Sequence, residues 1–333
     1  SVKIRRKAVE RAIPCLTSMD TAAALIKSLR SKFTKECTEL VDINYMRDER
    51  QVLRFVKLSG TQNDYIYFNC FHQHIGNPEG LAVMLSDRHL GIGGDGIVLI
   101  HPSDVADARM EIINQDGSYG GVSGNALRCV AKYLHDEGIA PDAETVRVET
   151  EAGVRTVKLI KQYGEVTAAT ADMGEVKLEP AAVPVNIAAD KAVNEPVTIG
   201  GENYNITCVN IGNPHCVIFT DDVDTMRIEE IGREIENMTS VFPQRTNVEF
   251  VQVINKNTVR MRVWERGSGE TMACGTGACA SAVAAIEKNF CDINCCVTVL
   301  LNGGSLEIEY KPDKSDVLMT GPAEFVFDGE IAL

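Results

Sequence analysis

The sequence predicts an α+β protein of two similar domains that face each other across a cleft. Three observations lead there. Two glycine-rich polar loops, one in each half of the chain, open into helix-forming segments: Asn114-Gln115-Asp116-Gly117-Ser118-Tyr119-Gly120-Gly121-Val122-Ser123-Gly124-Asn125-Ala126 and Gly267-Ser268-Gly269-Glu270-Thr271-Met272-Ala273-Cys274-Gly275-Thr276-Gly277-Ala278. The elements around them recur in one order: a loop with an asparagine, a helix, strands, the small-residue loop, a second helix. Short β-branched runs at 146–150, 155–160 and 167–173, with Gly153 and Gly164 at the turns, read as antiparallel strands.

In chain order, residues 1–52 form an extension of different composition, with eleven Lys and Arg against seven Asp and Glu. Ala22, Leu25, Ile26, Leu29 and Phe33 recur at helical spacing, so 21–33 is expected to be an amphipathic helix packed on the domain surface. The body begins at Leu53 with strands at 55–58 and 65–68 joined by the Gly60-Thr61-Gln62-Asn63-Asp64 turn. A helix follows over 79–89, closed by Gly91-Ile92-Gly93-Gly94-Asp95-Gly96. That cluster lacks the G-x-G-x-x-G spacing and the following acid of a dinucleotide site. Strands at 97–100 and 109–113 deliver the Asn114 loop, and 124–137 is the helix behind Ser123. The second half repeats this: strands at 207–211 and 216–219, a helix at 228–237, strands at 247–253 and 258–264, then the Cys274 loop and helix. The expected domains are 53–170 plus 319–333, and 171–318.

At 333 residues the chain can bury a substantial core, and its 44% hydrophobic and 24% charged residues are those of a globular protein. No run of about 20 apolar residues offers a membrane span. A net charge of −14 argues against nucleic acid or an anionic membrane as partner. Eleven irregularly spaced cysteines do not form a secreted disulfide framework, so a reducing, cytoplasmic setting is expected. An organelle stroma would follow if the Arg/Lys-rich start were a targeting remnant. Cys291, Cys295 and Cys296 lack paired CxxC or histidine partners, so no metal is expected. His72 and His74 are given no role.

Cys274 is placed at or just before the first turn of a helix, where unpaired N–H groups and the macrodipole attract anions and should lower a thiol's pKa. Ser123 holds the same place in the first half. Two such helix starts would let two side chains approach one carbon from opposite faces, the arrangement that inversion of a stereocentre requires: one group removes the α-proton and the other returns one.

From about Phe55 to Leu333 the chain resembles the diaminopimelate epimerases. The motifs are Phe55-Val56-Lys57 with Gly60 and Asn63-Asp64, Asp87-Arg88-His89-Leu90-Gly91-Ile92-Gly93, Asn114 to Asp116-Gly117-Ser118, Gly212-Asn213-Pro214-His215-Cys216-Val217, Arg245-Thr246-Asn247, Glu265-Arg266-Gly267 to Gly269-Glu270-Thr271, Ala273-Cys274-Gly275 and Thr320-Gly321-Pro322-Ala323. The resemblance implies an isomerase: two pseudo-symmetric domains, each a mainly antiparallel sheet or barrel around a central helix, with the site between them. It implies interconversion of LL- and meso-diaminopimelate, for lysine and cell-wall precursors, without pyridoxal phosphate or any other cofactor, and a homodimer. Cys274 and Ser123 would be the catalytic pair. The amides at Gly124-Asn125 and Gly275-Thr276 would hold the reacting carboxylate and stabilise the carbanion. Arg266 would pair with the remote carboxylate and Glu265 with the ammonium, and Asn63, Asn114, Asn213 and Asn247 would complete the pocket. His215 would orient Cys274 or the substrate, or serve a structural role.

Two departures stand out. The family carries cysteine where this chain has Ser123, whose hydroxyl is a far poorer acid than a thiol (about 8.5 for free cysteine). The serine belongs either to a slow, one-sided or altered natural enzyme or to an engineered trap; Ser1 in place of methionine points to a processed or recombinant chain. The family also usually has glutamine at the position of Gly96. Competing readings are a racemase of another amino acid on this fold, a non-catalytic amino-acid-binding protein, and an eliminating or isomerising enzyme that needs a single base. The Arg266, Glu265 and asparagine set favours the dicarboxylate-diamine substrate.

Overall fold

The two halves of the chain build the same nine-strand unit twice. The computed structural model describes residues 52–293, 295–311, 313 and 316–333; the extension 1–51 and its expected helix lie outside them. In the first unit β1 (Val52–Gly60) and β2 (Asn63–Asn69) form a hairpin, α1 (Pro78–Ser86) crosses to β3 (Gly96–His101), and β4 (Ala108–Asn114) returns antiparallel. A short β5 (Tyr119–Gly120) then leads into α2 (Gly124–Asp136), followed by β6 (Thr145–Thr150), β7 (Gly153–Gln162) and β8 (Glu165–Glu175). The second unit has β9 (Glu195–Ile199), β10 (Glu202–Asn210), β11 (Pro214–Phe219), α3 (Ile228–Glu236), β12 (Asn247–Asn255), β13 (Thr258–Glu265) and β14 (Gly269–Thr271). It ends with α4 (Gly275–Glu287), β15 (Cys296–Leu301), β16 (Gly304–Lys311) and β17 (Asp316–Pro322), after which β18 (Glu324–Ala332) returns to pair with β1.

Each helix bridges a parallel strand pair, as such crossovers require: α1 between β2 and β3, α2 between β4 and β6, α3 between β11 and β12, α4 between β13 and β15. The sequential pairings β6–β7, β7–β8, β15–β16 and β16–β17 are antiparallel. The units join where β8 and β17 pair antiparallel, with Thr170 opposite Thr320 and their hydroxyls 2.7 Å apart. Together they form one compact body, Leu53–Ile331.

Burial separates the helices into two kinds. Gly124 to Leu134 of α2 are all buried, as is α4 from Gly275 to Ile286 apart from Thr276. These two are the central helices, and both belong to one apolar core with β-strand residues of both halves, including Val148, Val259 and Met319. The alanine-rich α4 suits this place, since small side chains let a helix sit among strands on every side. By contrast α1 and α3 bury one stripe each: Leu81, Ala82 and Leu85, and Ile228, Ile231 and Ile235. Among the described residues no helix is long and apolar enough to cross a membrane.

An ionic cluster pins the β1–β2 hairpin beside the site. Lys57 Nζ lies 2.8 Å from Asp64 Oδ2, and Arg88 Nη2 lies 2.6 Å from Oδ1. Burial alone would raise the Asp64 carboxyl, but hydrogen bonds from Arg88 and Lys57 outweigh it and hold it below its ordinary value of 3.8. Its stabilising effect is complete above that value and is lost as the pH falls through the lower folded value. Lys57→Met would leave a largely buried carboxylate with one partner and is expected to cost about 3 kcal/mol, read as a lower midpoint in urea.

Candidate active site

Ser123 and Cys274 are the N-caps of the two central helices and share one geometry. Their backbones are extended, with φ −108°, ψ 118° at Ser123 and φ −125°, ψ 113° at Cys274. Ser123 Oγ accepts from Ala126 N at 3.3 Å, and Cys274 Sγ accepts from Gly277 N at 3.3 Å. Serine is a favoured N-cap, whereas a thiol is a weak acceptor there. The helix starts converge. A Cβ on Gly124 would lie 2.2 Å from Met319 Cε; one on Gly275 would lie 3.1 Å from Met319 Sδ and 3.5 Å from Asn125 Oδ1. One methionine side chain thus sits against both first turns, and a Cβ at Gly124 would force it to move.

The other expected residues divide between two openings. A cavity of about 700 Å³ is lined by Asn63 and Asn114 from the first half and Glu265 and Thr271 from the second. A second, of about 460 Å³, is lined by Asn213, Arg266 and Thr276 together with Gly121, Val122 and Arg155. Glu265 and Arg266, expected to hold one end of a ligand together, therefore line different openings; Glu265 ends β13 and Arg266 begins the turn after it. Arg266 is exposed, and its Nη1 donates to Gln244 O at 2.9 Å.

Two of the expected residues are braced more than open. Asn247 is buried; its Oδ1 accepts from Arg266 N at 2.9 Å and its Nδ2 donates to Pro214 O at 3.1 Å, so it ties the two loops that carry Arg266 and Asn213. Asn125 is buried as well, accepting from Arg128 Nη2 at 2.9 Å and reaching Asn63 Oδ1 at 3.4 Å. Asn63 in turn donates to Asp95 at 2.7 Å, and Asn114 to Ser118 at 3.1 Å. His215 is fully buried, with Nδ1 2.7 Å from Glu249 Oε1 and Nε2 2.9 Å from Asn213 Oδ1.

The expectation of a lowered Cys274 pKa is overturned. The thiol is pushed well above its ordinary value, first by burial and then by the charges of Glu265 and Glu249; bonds from Thr276 and Gly277 oppose this without reversing it. The helix start is real, but Cys274 is only 6% exposed and two acids act on its thiol. Glu265 is itself raised by burial, against a bond from Thr271 and another from Cys274. At Gly96 the backbone has φ +155°, and a Cβ would meet Ile113 O at 2.3 Å, so this chain has no room there for a side chain.

Sequence reasoning missed Arg128, Thr271 and Glu249. Arg128 and Glu249 are charged residues inside stretches that read as core helix and core strand, and that mismatch is the signal. Arg128 is fully buried and bonded to Thr61, Asn125 and the Gly124 and Pro322 carbonyls. Cys291, Cys295 and Cys296 are buried, half-buried and exposed in turn, and no group of His, Cys, Asp and Glu able to hold a metal occurs among the described residues.

Gly277 sits between Glu249 and Cys274. A Cβ there would lie 2.7 Å from Glu249 Oε1 and 3.3 Å from Cys274 Sγ. Gly277→Ala must displace one of them, and about a 100-fold loss of α-proton exchange is expected for a misplacement on the order of 1 Å, with thermal unfolding checking that the fold survives.

Two nucleophile-type helix caps, brought together at the junction of two repeated α+β units, define an isomerase of the racemase and epimerase type. Solved structures share the fold: a PhzF-family phenazine biosynthesis protein from Bacillus anthracis (TM-score 0.63, 14% identity, 85% of this chain and 100% of that one) and a hydroxyproline epimerase from Agrobacterium vitis (TM-score 0.60, 14% identity, 85% and 92%). The family model for diaminopimelate epimerase matches residues 55–179 and 207–326. Diaminopimelate epimerases from Acetivibrio thermocellus and Desulfovibrio desulfuricans are 47% and 48% identical to this chain, over 84% of it and 99% and 98% of their own lengths. One from the archaeon Methanococcus maripaludis is 45% identical over 84% and 99%. The chain belongs to the diaminopimelate epimerase family.

Proposed function

We propose that the chain acts on the α-carbon of diaminopimelate, interconverting the LL and meso forms by proton transfer without pyridoxal phosphate, and that Ser123 slows this chain. The observation that carries the reading is that Gly124 and Gly275, the residues that directly follow the caps Ser123 and Cys274, both lie against Met319. In one direction the Cys274 thiolate takes the α-proton. The electron pair left on the carbon spreads into the carboxylate, which the amides of Gly124-Asn125 and Gly275-Thr276 would face, two helix starts serving as the electron sink. Inversion is complete when the group on the opposite face gives up its own proton, so that one side of the enzyme has gained a proton and the other has lost one. Ser123 is a poor donor and, as alkoxide, a costly product.

Glu265 and Asn114 in one opening, with Arg266 and Asn213 in the other, are proposed to bind the charged groups of the substrate, and Asn63 and Asn247 to hold the pocket's shape. A homodimer, a cytoplasmic setting and the domain limits near residues 170 and 319 belong to the same reading. Proton NMR in D₂O with LL- and meso-diaminopimelate, and with proline and glutamate beside them, tests it. The chain should wash out the α-proton of one diaminopimelate stereoisomer with its configuration retained, Cys274 both removing and returning it, while proline and glutamate stay untouched. Unchanged diaminopimelate with both the chain and its Ser123→Cys variant would sink the assignment.

A further inference from the structure

Glu249 lies in the wholly buried part of β12, between Val248 and Phe250, and is 0% exposed. A carboxylate there is costly unless it is matched. Oε1 lies 2.7 Å from His215 Nδ1 on the neighbouring β11, while Oε2 has no hydrogen-bond partner among the described residues. On its other side Oε1 abuts the first turn of α4: it and Cys274 Sγ both lie within 3.3 Å of the place where a Cβ of residue 277 would stand.

The fold does not require this acid. Strand registers make Gly96 opposite Asn114 the counterpart of Asn247 opposite Glu265, and Asn114 precedes Ser123 by as many residues as Glu265 precedes Cys274. By the same registers Glu249 corresponds to Val98, and His215 to Tyr65. The first unit thus builds the same strand with a valine, and the buried pair belongs to the second unit alone.

We infer that Glu249 is a positioning residue for the Cys274 face: it holds the His215 ring by Nδ1, turning Nε2 to Asn213, and sets a carboxylate against the thiol's helix start, so that the two faces of the cleft differ in charge. This rests on the epimerase reading for its purpose but not for its test. The charged or titratable groups around Cys274 are Glu265 from β13, Glu249 from β12 and His215 from β11, with Cys216 also close to Glu249 and the Thr276 hydroxyl on α4 itself. Removing the Glu249 charge should let the thiolate form at lower pH.

The test is the rate of iodoacetamide alkylation of Cys274, followed by mass spectrometry of its peptide from about pH 7 to about pH 11. It needs no substrate. Glu249→Gln keeps the shape, Glu249→Val copies the first unit, and Glu249→Asp keeps the charge. In the Gln and Val proteins the alkylation midpoint should fall by about one pH unit, a tenfold faster reaction below the midpoint, and Asp should stay near the parent. In the Ser123→Cys background the same Gln change should lower kcat and leave KM near its starting value. Parent-like midpoints in both the Gln and Val proteins would overturn the inference, and so would an Asp midpoint that falls as far as theirs. If Gln fails to fold, the Val and Asp pair decides by the same readout. Absence of diaminopimelate turnover with a shifted midpoint would count against the epimerase reading and not against Glu249.

Discussion

Replacing Cys274 by alanine is expected to abolish the α-proton exchange of diaminopimelate, leaving neither stereoisomer labelled. The sulfur sits at the N-cap of a central helix, 3.3 Å from Gly277 N, where burial and then the charges of Glu265 and Glu249 push the thiol well above its ordinary value. Binding of a substrate carboxylate and ammonium must change that field before the thiolate forms, and Ser123 offers no substitute base. Loss of a positioned acid–base group costs about 10²–10⁴-fold, and with serine opposite, the remaining rate should merge with the uncatalysed one. The same D₂O experiment measures it, with circular dichroism of the variant as the control. Alanine at an N-cap costs on the order of 1 kcal/mol of helix stability, less here because sulfur is a weak acceptor, so the protein should remain folded. Exchange persisting at the parent rate would remove Cys274 from the mechanism.

The second large effect runs the other way. Ser123→Cys should raise interconversion of the LL and meso forms by about 10²–10⁴-fold, because a thiol can give up its proton at the pH where a hydroxyl cannot. The substitution suits the site: Ser123 is half-buried, its backbone matches that of Cys274, and Cys274 already shows that a thiol can cap such a helix. The chain as it stands should exchange without inverting, whereas the variant should give both stereoisomers from either one. A variant that exchanges no faster and still does not invert would show that Ser123 is not the second proton-transfer position.

The repeat and the two caps were legible in the sequence because each rests on local chemistry. Glycine-rich loops ending in a cap, and β-branched runs between glycines, mark elements wherever the chain later places them. The helix over 228–237 and the strands at 207–211 and 247–253 differ from the observed bounds only at their ends. The late strands β15, β16 and β18 were not read, since their alternation carries no site motif. The split of Glu265 and Arg266 between two openings, the acids around Cys274 and the buried Arg128 depend on which strands lie side by side. Spacing along the chain does not contain that information. Glu249 is the sharpest case: in sequence it is one acid in a strand, and only the register beside His215 and the approach of Gly277 give it a role.

The strand exchange at the C-terminus bears on how the molecule is made. The first unit's outer strands, β1 and β8, find their partners in β18 and β17, which are synthesised after nearly all of the second unit. A nascent first unit therefore leaves the ribosome with two bare ladder edges and a central helix that β17 does not yet cover. Such edges invite pairing with other chains, and closure over so long a separation is slow. The protein should depend on protection during translation, and loss of β17 and β18 should unravel the half of the molecule that was made first.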